Sequence, residues 1–91
     1  MCIVVNKYKS QFDVYIGRGS KWGNPFVIGK HGTRVEVIEQ FKQHLWHQIK
    51  SGDVTIAELK ELNGKRLGCF CKPLPCHGDV IQSAVQWAMK Q

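Results

Sequence analysis

The chain has 91 residues, an ordinary apolar fraction of 43% and a formal net charge of +6. This length predicts one domain over residues 1–91 and excludes a second one. No apolar run approaches the roughly 18 residues of a membrane-spanning helix, and the sequence begins without a secretory leader, so we expect a cytoplasmic protein with no membrane partner.

The positive charge is concentrated in the first third of the chain. Residues 1–34 contain six basic residues and one acidic residue, which gives +5, whereas the remainder carries +1. A field of this sign attracts anions, so we expect an anionic small molecule or a nucleic acid as partner.

The first elements in chain order are two short strands and a long loop. β-branched and aromatic residues predict strands at Ile3 to Asn6 and Asp13 to Gly17, with a turn between them. Residues 17–32 hold five glycines and Pro25, which predicts a structured loop rather than a helix or strand.

Three helices and a third strand complete the predicted elements. Thr33 followed by Glu36 forms a capping-box signal, and apolar residues recur at helical spacing, which predicts a helix over 34–50 with its apolar face at Val35, Ile38, Phe41, Leu45 and Ile49. A short helix is predicted from Thr55 to Leu62, a strand from Arg66 to Cys71 and a last helix from His77 to Lys90, with Val80, Ile81, Ala84, Val85 and Ala88 facing inward.

This order of elements predicts an α/β fold, a small single sheet covered by three helices in a Rossmann-like minimal sandwich. Parallel and antiparallel strands both remain compatible with the sequence.

Three cysteines and a histidine crowd the junction between the third strand and the last helix. Cys76 and His77 stand at the start of that helix, where a thiolate would be stabilised. One interpretation is therefore an active or ligand-binding site with Cys76, His77 and Asp79 as candidate catalytic groups.

Two other interpretations of this junction stay open. Zinc is the alternative cofactor, because Cys69, Cys71, Cys76 and His77 are suitable ligands, although adjacent Cys76 and His77 can rarely bind one ion together. The third interpretation is that the cysteines are ordinary core residues, which is the better one for Cys69.

The loop after the second strand mixes glycines with cations, a hydroxyl, an amide and an indole. Such a loop can hold a phosphate and stack a base, although it matches neither the dinucleotide fingerprint nor the P-loop. For Trp22 a ligand platform and a core plug are equally consistent with the sequence. The candidate ligand-binding residues are Arg18, Gly19, Ser20, Lys21, Trp22 and Asn24.

Two segments, Val14 to Phe26 and Leu67 to Ile81, together resemble the domain of unknown function 4326, a family of small proteins of bacteria and bacteriophages. The resemblance covers nearly the whole chain and implies a bacterial or phage-infected host cytoplasm. It implies a site at the two motifs but carries no activity with it.

The leading hypothesis is a pocket for a phosphate-bearing ligand, a nucleotide or a nucleic-acid end, in a protein that could act as a nucleotide-processing transferase or hydrolase. The alternative is a non-enzymatic module, with or without zinc, that binds nucleic acid or protein. Whether the chain is an enzyme, and whether it forms a homo-oligomer, stays open at this point.

Overall fold

The computed structural model describes residues 3–8, 11–17, 19–69 and 76–91. These residues form three strands, β1 (Ile3–Asn6), β2 (Val14–Tyr15) and β3 (Arg66–Cys69), and three helices, α1 (Arg34–Ser51), α2 (Ile56–Glu61) and α3 (His77–Ala88). The predicted small α/β fold is confirmed, while the Rossmann-like arrangement stays a prediction. The predicted end of the third strand at residues 70–71 lies outside the described residues.

The capping signals in the sequence set the start of the long helix. Glu36 N–H donates to the Thr33 hydroxyl at 3.3 Å, and Thr33 N–H donates to the Glu36 carboxylate at 2.9 Å. At the other end Gly52 adopts the left-handed conformation, with φ of 89°, and its N–H donates to the Ile49 carbonyl. Helix α1 thus runs from 34 to 51, as predicted to within one residue.

The sheet is parallel, and its strands lie in the order β1–β3–β2. Ile3 pairs with Arg66 on one side of β3, and Val14 pairs with Leu67 on the other. The last strand in sequence therefore occupies the centre. Because all three strands run the same way, their ends at Asn6, Tyr15 and Cys69 share one edge, which we call the carboxyl edge.

Helix α3 packs against one face of this sheet. A side chain at Gly78 would lie 2.8 Å from both Ile16 Cδ1 and Val4 Cγ1, so the missing side chain lets the helix approach closely. Four of the five residues predicted to face inward from α3 are fully buried, and Val80 is partly buried: Ile81, Ala84, Val85 and Ala88 belong to the core.

The buried face of α1 differs from the prediction at its first turn. Val35 was expected on the apolar face but is 74% exposed, and Val37 is buried instead, beside Phe41 and Leu45. Val37 precedes Phe41 and Leu45 at the i, i+4, i+8 spacing of one helix face, whereas Val35 lies six residues before Phe41 and therefore on a different face.

The opposite face of the sheet carries a loop residue in place of a helix at one position. The Phe12 ring lies over Gly68, where an added Cβ would be 2.6 Å from the ring.

Among the described residues, no helix is long and apolar enough to cross a membrane.

Candidate functional site at the carboxyl edge

His77 joins the two sequence motifs at the carboxyl edge. Its Nε2 lies 2.6 Å from the carbonyl oxygen of Ile16, the residue that precedes the glycine-rich loop. A carbonyl oxygen only accepts, so Nε2 carries the hydrogen. The imidazole also meets the Phe41 ring edge-on, with centroids 5.1 Å apart, and the residue is buried. Helix α3 therefore begins against the end of β2.

Cys69 and Cys76 face each other beside this hydrogen bond. Their Sγ atoms are 3.3 Å apart and both residues are buried. Two effects raise the pKa of the Cys76 thiol above its ordinary value: the hydrogen bond with Cys69, which is the larger, and burial. A stabilised thiolate at this helix start was expected from the sequence. The neighbouring thiol and the apolar surroundings favour the neutral form instead.

Asp79 caps the helix that Cys76 begins. Its carboxylate accepts a hydrogen bond from the Cys76 backbone N–H at 3.2 Å. This is one half of a capping box and also satisfies a backbone donor at the helix start. The three candidate catalytic residues are thus adjacent, and each has a structural contact.

The glycine-rich loop is held by its own polar side chains. The Ser20 hydroxyl donates to the Gly17 carbonyl at 2.6 Å, and Asn24 bridges the loop to α1 by donating to the Val37 carbonyl at 3.2 Å. Gly19 adopts a left-handed conformation, with φ of 85°. Gly19, Ser20 and Asn24 line an open depression of about 290 Å³ together with Gly23 and Pro25.

The remaining loop candidates divide between the core and the surface. Trp22 is 8% exposed and belongs to the hydrophobic core, which is the plug interpretation. The Lys21 ammonium forms an ion pair with Glu58 of α2 and lies 5.8 Å from the centroid of the Trp22 ring. Arg18 lies outside the described residues.

The structure describes only some of the four residues that were considered as zinc ligands. Cys69 and Cys76 lie together, but Cys71 is outside the described residues, and His77 Nε2 is engaged by Ile16. Within the part of the chain that the structure describes, no group of three or more His, Cys, Asp or Glu side chains could hold a metal ion. Zinc binding stays a prediction.

Three residues at this edge were not identified as site candidates from the sequence. Lys7 lies directly after β1, and its ammonium is 5.4 Å from the centroid of the Tyr8 ring and 4.8 Å from that of Tyr15. The sequence predicted only a turn after β1, where Lys7 and Tyr8 lie. Only the pairing of β1 and β2 with the same central strand brings Lys7 and Tyr15 together.

Comparison with known proteins identifies the same two motifs as parts of one family. The model of a domain of unknown function, DUF4326, matches residues 4–87. The chain belongs to the DUF4326 family. The resemblance noted from the sequence is thereby confirmed, and the match includes both the glycine-rich loop and the Cys-His junction.

Two relatives come from viruses. The chain is 54% identical over 91 residues to an uncharacterized 12.4 kDa protein in the nrdA-td intergenic region of Enterobacteria phage T4, covering 99% of this chain and 82% of that protein. It is 34% identical over 87 residues to an uncharacterized protein of Acanthamoeba polyphaga mimivirus, covering 76% of this chain and 63% of the relative's length. No solved structure matches the chain.

Proposed function

We propose that this DUF4326 protein binds a phosphate-bearing ligand, a nucleotide or a nucleic-acid end, at the carboxyl edge of its sheet. The single observation that supports this most is the 2.6 Å hydrogen bond between His77 and the Ile16 carbonyl. It joins the glycine-rich loop and the Cys-His junction, which were the two candidate ligand segments. Ligands of parallel α/β sheets bind at the carboxyl ends of strands, so the position agrees with the general rule.

The distribution of charge supports an anionic ligand. The segments that follow the three strands are 7–13, 16–33 and 70–76, and they contain two, three and one basic residues respectively. Asp13 is their one acidic residue, and it lies directly before β2, paired with Arg66. An excess of positive charge raises the local concentration of anions and accelerates their capture.

The proposal is for binding and does not extend to a reaction. A nucleophilic Cys76 would need a lowered pKa, whereas its thiol is buried against Cys69 and its pKa is raised. Asp79 caps the helix, and His77 holds the loop. These contacts favour a stable scaffold for a ligand over an activated nucleophile.

The decisive experiment compares charge removal within the sequence of the glycine-rich loop with the same change at the far end of α3. Isothermal titration calorimetry would measure binding of adenosine and uridine 5′-monophosphates, ribose 5-phosphate and a 5′-phosphorylated oligothymidylate to the native chain. We expect Arg18→Ala to weaken binding about tenfold, the usual cost of losing a charge-assisted contact. Affinity should also fall as salt rises.

Lys90→Ala is the matched control, because it removes the same charge from an exposed position beyond the last turn of α3. It should leave every affinity within about twofold, since salt screens charges beyond roughly 10 Å. The proposal is wrong if none of these probes binds, or if Arg18→Ala and Lys90→Ala have equal effects. Native mass spectrometry of the same samples would reveal any bound zinc.

A further inference from the structure

Lys7, Tyr8 and Tyr15 form a cluster at the carboxyl edge, which we call the tyrosine cluster. The Lys7 ammonium lies 4.8 Å from the centroid of the Tyr15 ring and 5.4 Å from that of Tyr8. Tyr8 is 76% exposed. An aromatic ring that is open to solvent on this edge, with a cation beside it, has the chemistry of a surface that stacks a base next to a phosphate.

The backbone that follows β1 and carries Lys7 and Tyr8 is held in place by two hydrogen bonds. Lys7 N–H donates to the Cys69 carbonyl at 2.9 Å, which fixes Lys7 at the end of β3. Tyr8 N–H donates to the Asn6 side-chain carbonyl at 2.9 Å, which fixes the turn that presents its ring. A surface held in this way loses little conformational freedom when a ligand binds.

Gly17 explains how the second ring reaches the cluster. An added Cβ at Gly17 would collide with the hydroxyl and ring carbons of Tyr15, so the Tyr15 side chain folds back over the first residue of the glycine-rich loop. The absence of a side chain at Gly17 therefore sets the direction of the Tyr15 ring. The tyrosine cluster and the loop are in direct contact.

We infer that the tyrosine cluster binds the base of the phosphate-bearing ligand, with Tyr8 as the stacking surface and Lys7 as a contact to the phosphate. This inference rests on the proposed function and deepens it, because it names a nucleobase as the second group recognised. A ring accepts any base through its π face, so recognition extends to purines and pyrimidines. Cation–π contacts orient Lys7 without neutralising it, since a tyrosine ring carries no net charge.

The test separates the base from the phosphate by using ligands that share one group. Adenosine and uridine 5′-monophosphates carry both groups, whereas ribose 5-phosphate lacks the base. We expect Tyr8→Ala to weaken binding of both nucleotides about tenfold, the usual effect of removing a stacking ring, and to leave ribose 5-phosphate within about twofold. Tyr8→Phe keeps the ring and should retain nucleotide affinity.

Lys7→Ala gives the complementary result. It should weaken nucleotides and ribose 5-phosphate alike, because all of them carry the phosphate. Thermal unfolding of each variant checks that the fold survives, which we expect for an exposed residue such as Tyr8. Titration of the 5′-phosphorylated oligothymidylate distinguishes a nucleic-acid end from a free nucleotide as the ligand. Tighter binding than uridine monophosphate identifies a nucleic-acid end, and equal or weaker binding identifies a free nucleotide.

The inference is overturned by any of three results. If native protein binds ribose 5-phosphate as tightly as the nucleotides, or if Tyr8→Ala leaves nucleotide binding unchanged, the cluster does not recognise a base, although the phosphate site survives. If neither nucleotides, ribose 5-phosphate nor the oligonucleotide binds, the proposed function fails together with the inference.

Discussion

At the amino edge of the sheet, where the strands begin, Asp13 and Arg66 form an exposed ion pair, whereas the hydrogen bond between His77 and Ile16 at the carboxyl edge is buried. Arg66 Nε donates to Asp13 Oδ2 at 3.2 Å, and both side chains are more than 40% exposed. His77 and the paired cysteines at the other edge are buried. Water can replace the partners of the exposed Asp13–Arg66 pair but cannot reach the buried groups at the carboxyl edge. The free energy of unfolding should therefore respond very differently to mutations at the two edges.

The largest effect should be on the reactivity of Cys76. Its burial and raised pKa predict alkylation by iodoacetamide about 100-fold or more slower than for an unfolded chain, because reaction must await local opening. Peptide mass spectrometry after timed labelling at pH 8 would resolve position 76 from the other cysteines. Fast labelling in the native state, as expected for a helix-start thiolate, would contradict this description of the carboxyl edge.

The close packing of α3 on the sheet should make Gly78 sensitive to added volume. Gly78→Val would place a branched side chain against Ile16 and Val4, and we expect a loss of about 2–3 kcal/mol in the free energy of unfolding. Urea denaturation would measure it. Ser83→Val, at an exposed position of the same helix, should cost at most about 0.5 kcal/mol, because Ser and Val have similar helix propensities and only an exposed hydrogen bond to the Asp79 carbonyl is lost. Equal losses would mean that α3 does not pack as closely as described.

Removing the His77 hydrogen bond should have a smaller effect. His77→Phe keeps an aromatic ring against Phe41 but leaves the Ile16 carbonyl without this donor, so we expect a loss of about 1–2 kcal/mol. His47→Phe on the exposed part of α1 is the control and should change unfolding little. A His77 variant as stable as native would show that the bond does not join the two motifs.

The amino edge should give the smallest effect, visible only in acid. The hydrogen bonds from Arg66, first of all from its side chain, lower the pKa of Asp13 below its ordinary value of 3.8. A lowered folded-state pKa stabilises the protein above the unfolded value, and the contribution disappears as pH falls through the folded value. Asp13→Asn should thus reduce the loss of stability between pH 6 and pH 2, measured by thermal unfolding.

Glu36→Gln is the matched comparison for the acid experiment. The backbone and hydroxyl of Thr33 lower the pKa of Glu36, so this carboxyl should lose its contribution over the same acidic range. Arg66→Ala should reduce the difference in acid response between the native and Asp13→Asn proteins without abolishing it, because the Arg66 backbone N–H still donates to Asp13 at 2.8 Å. An unchanged pH profile in Asp13→Asn would show that the ion pair does not form in solution.

Local signals in the sequence predicted the helices well, because capping boxes and stop residues act within a few positions. Thr33 and Glu36 form the predicted capping box, and Thr55, at the predicted start of the second helix, forms another with Glu58. The strand direction could not be predicted, since it depends on pairing β1 and β2 with a strand more than fifty residues away. The Lys7 and Tyr15 contact follows from that pairing and was missed for the same reason.

The expectation for Cys76 shows the limit of local reasoning about a side chain. The helix start suggested a stabilised thiolate, but the pKa is raised by Cys69 and by the surrounding core, which the helix rule does not include. Trp22 was ambiguous until its burial was known. For Lys21 the ion pair with Glu58 depends on the position of α2, which no spacing in the sequence specifies.

The central position of β3 also dictates when the sheet can form during synthesis. Both outer strands leave the ribosome early, but each needs Arg66 to Cys69 as its neighbour. Until those residues emerge, the two outer strands lack the strand with which they pair in the described part of the chain. The apolar face of α1 likewise lacks the α3 surface against which it packs. Contacts this distant in sequence slow folding, so the nascent chain should stay open until its final third has been made.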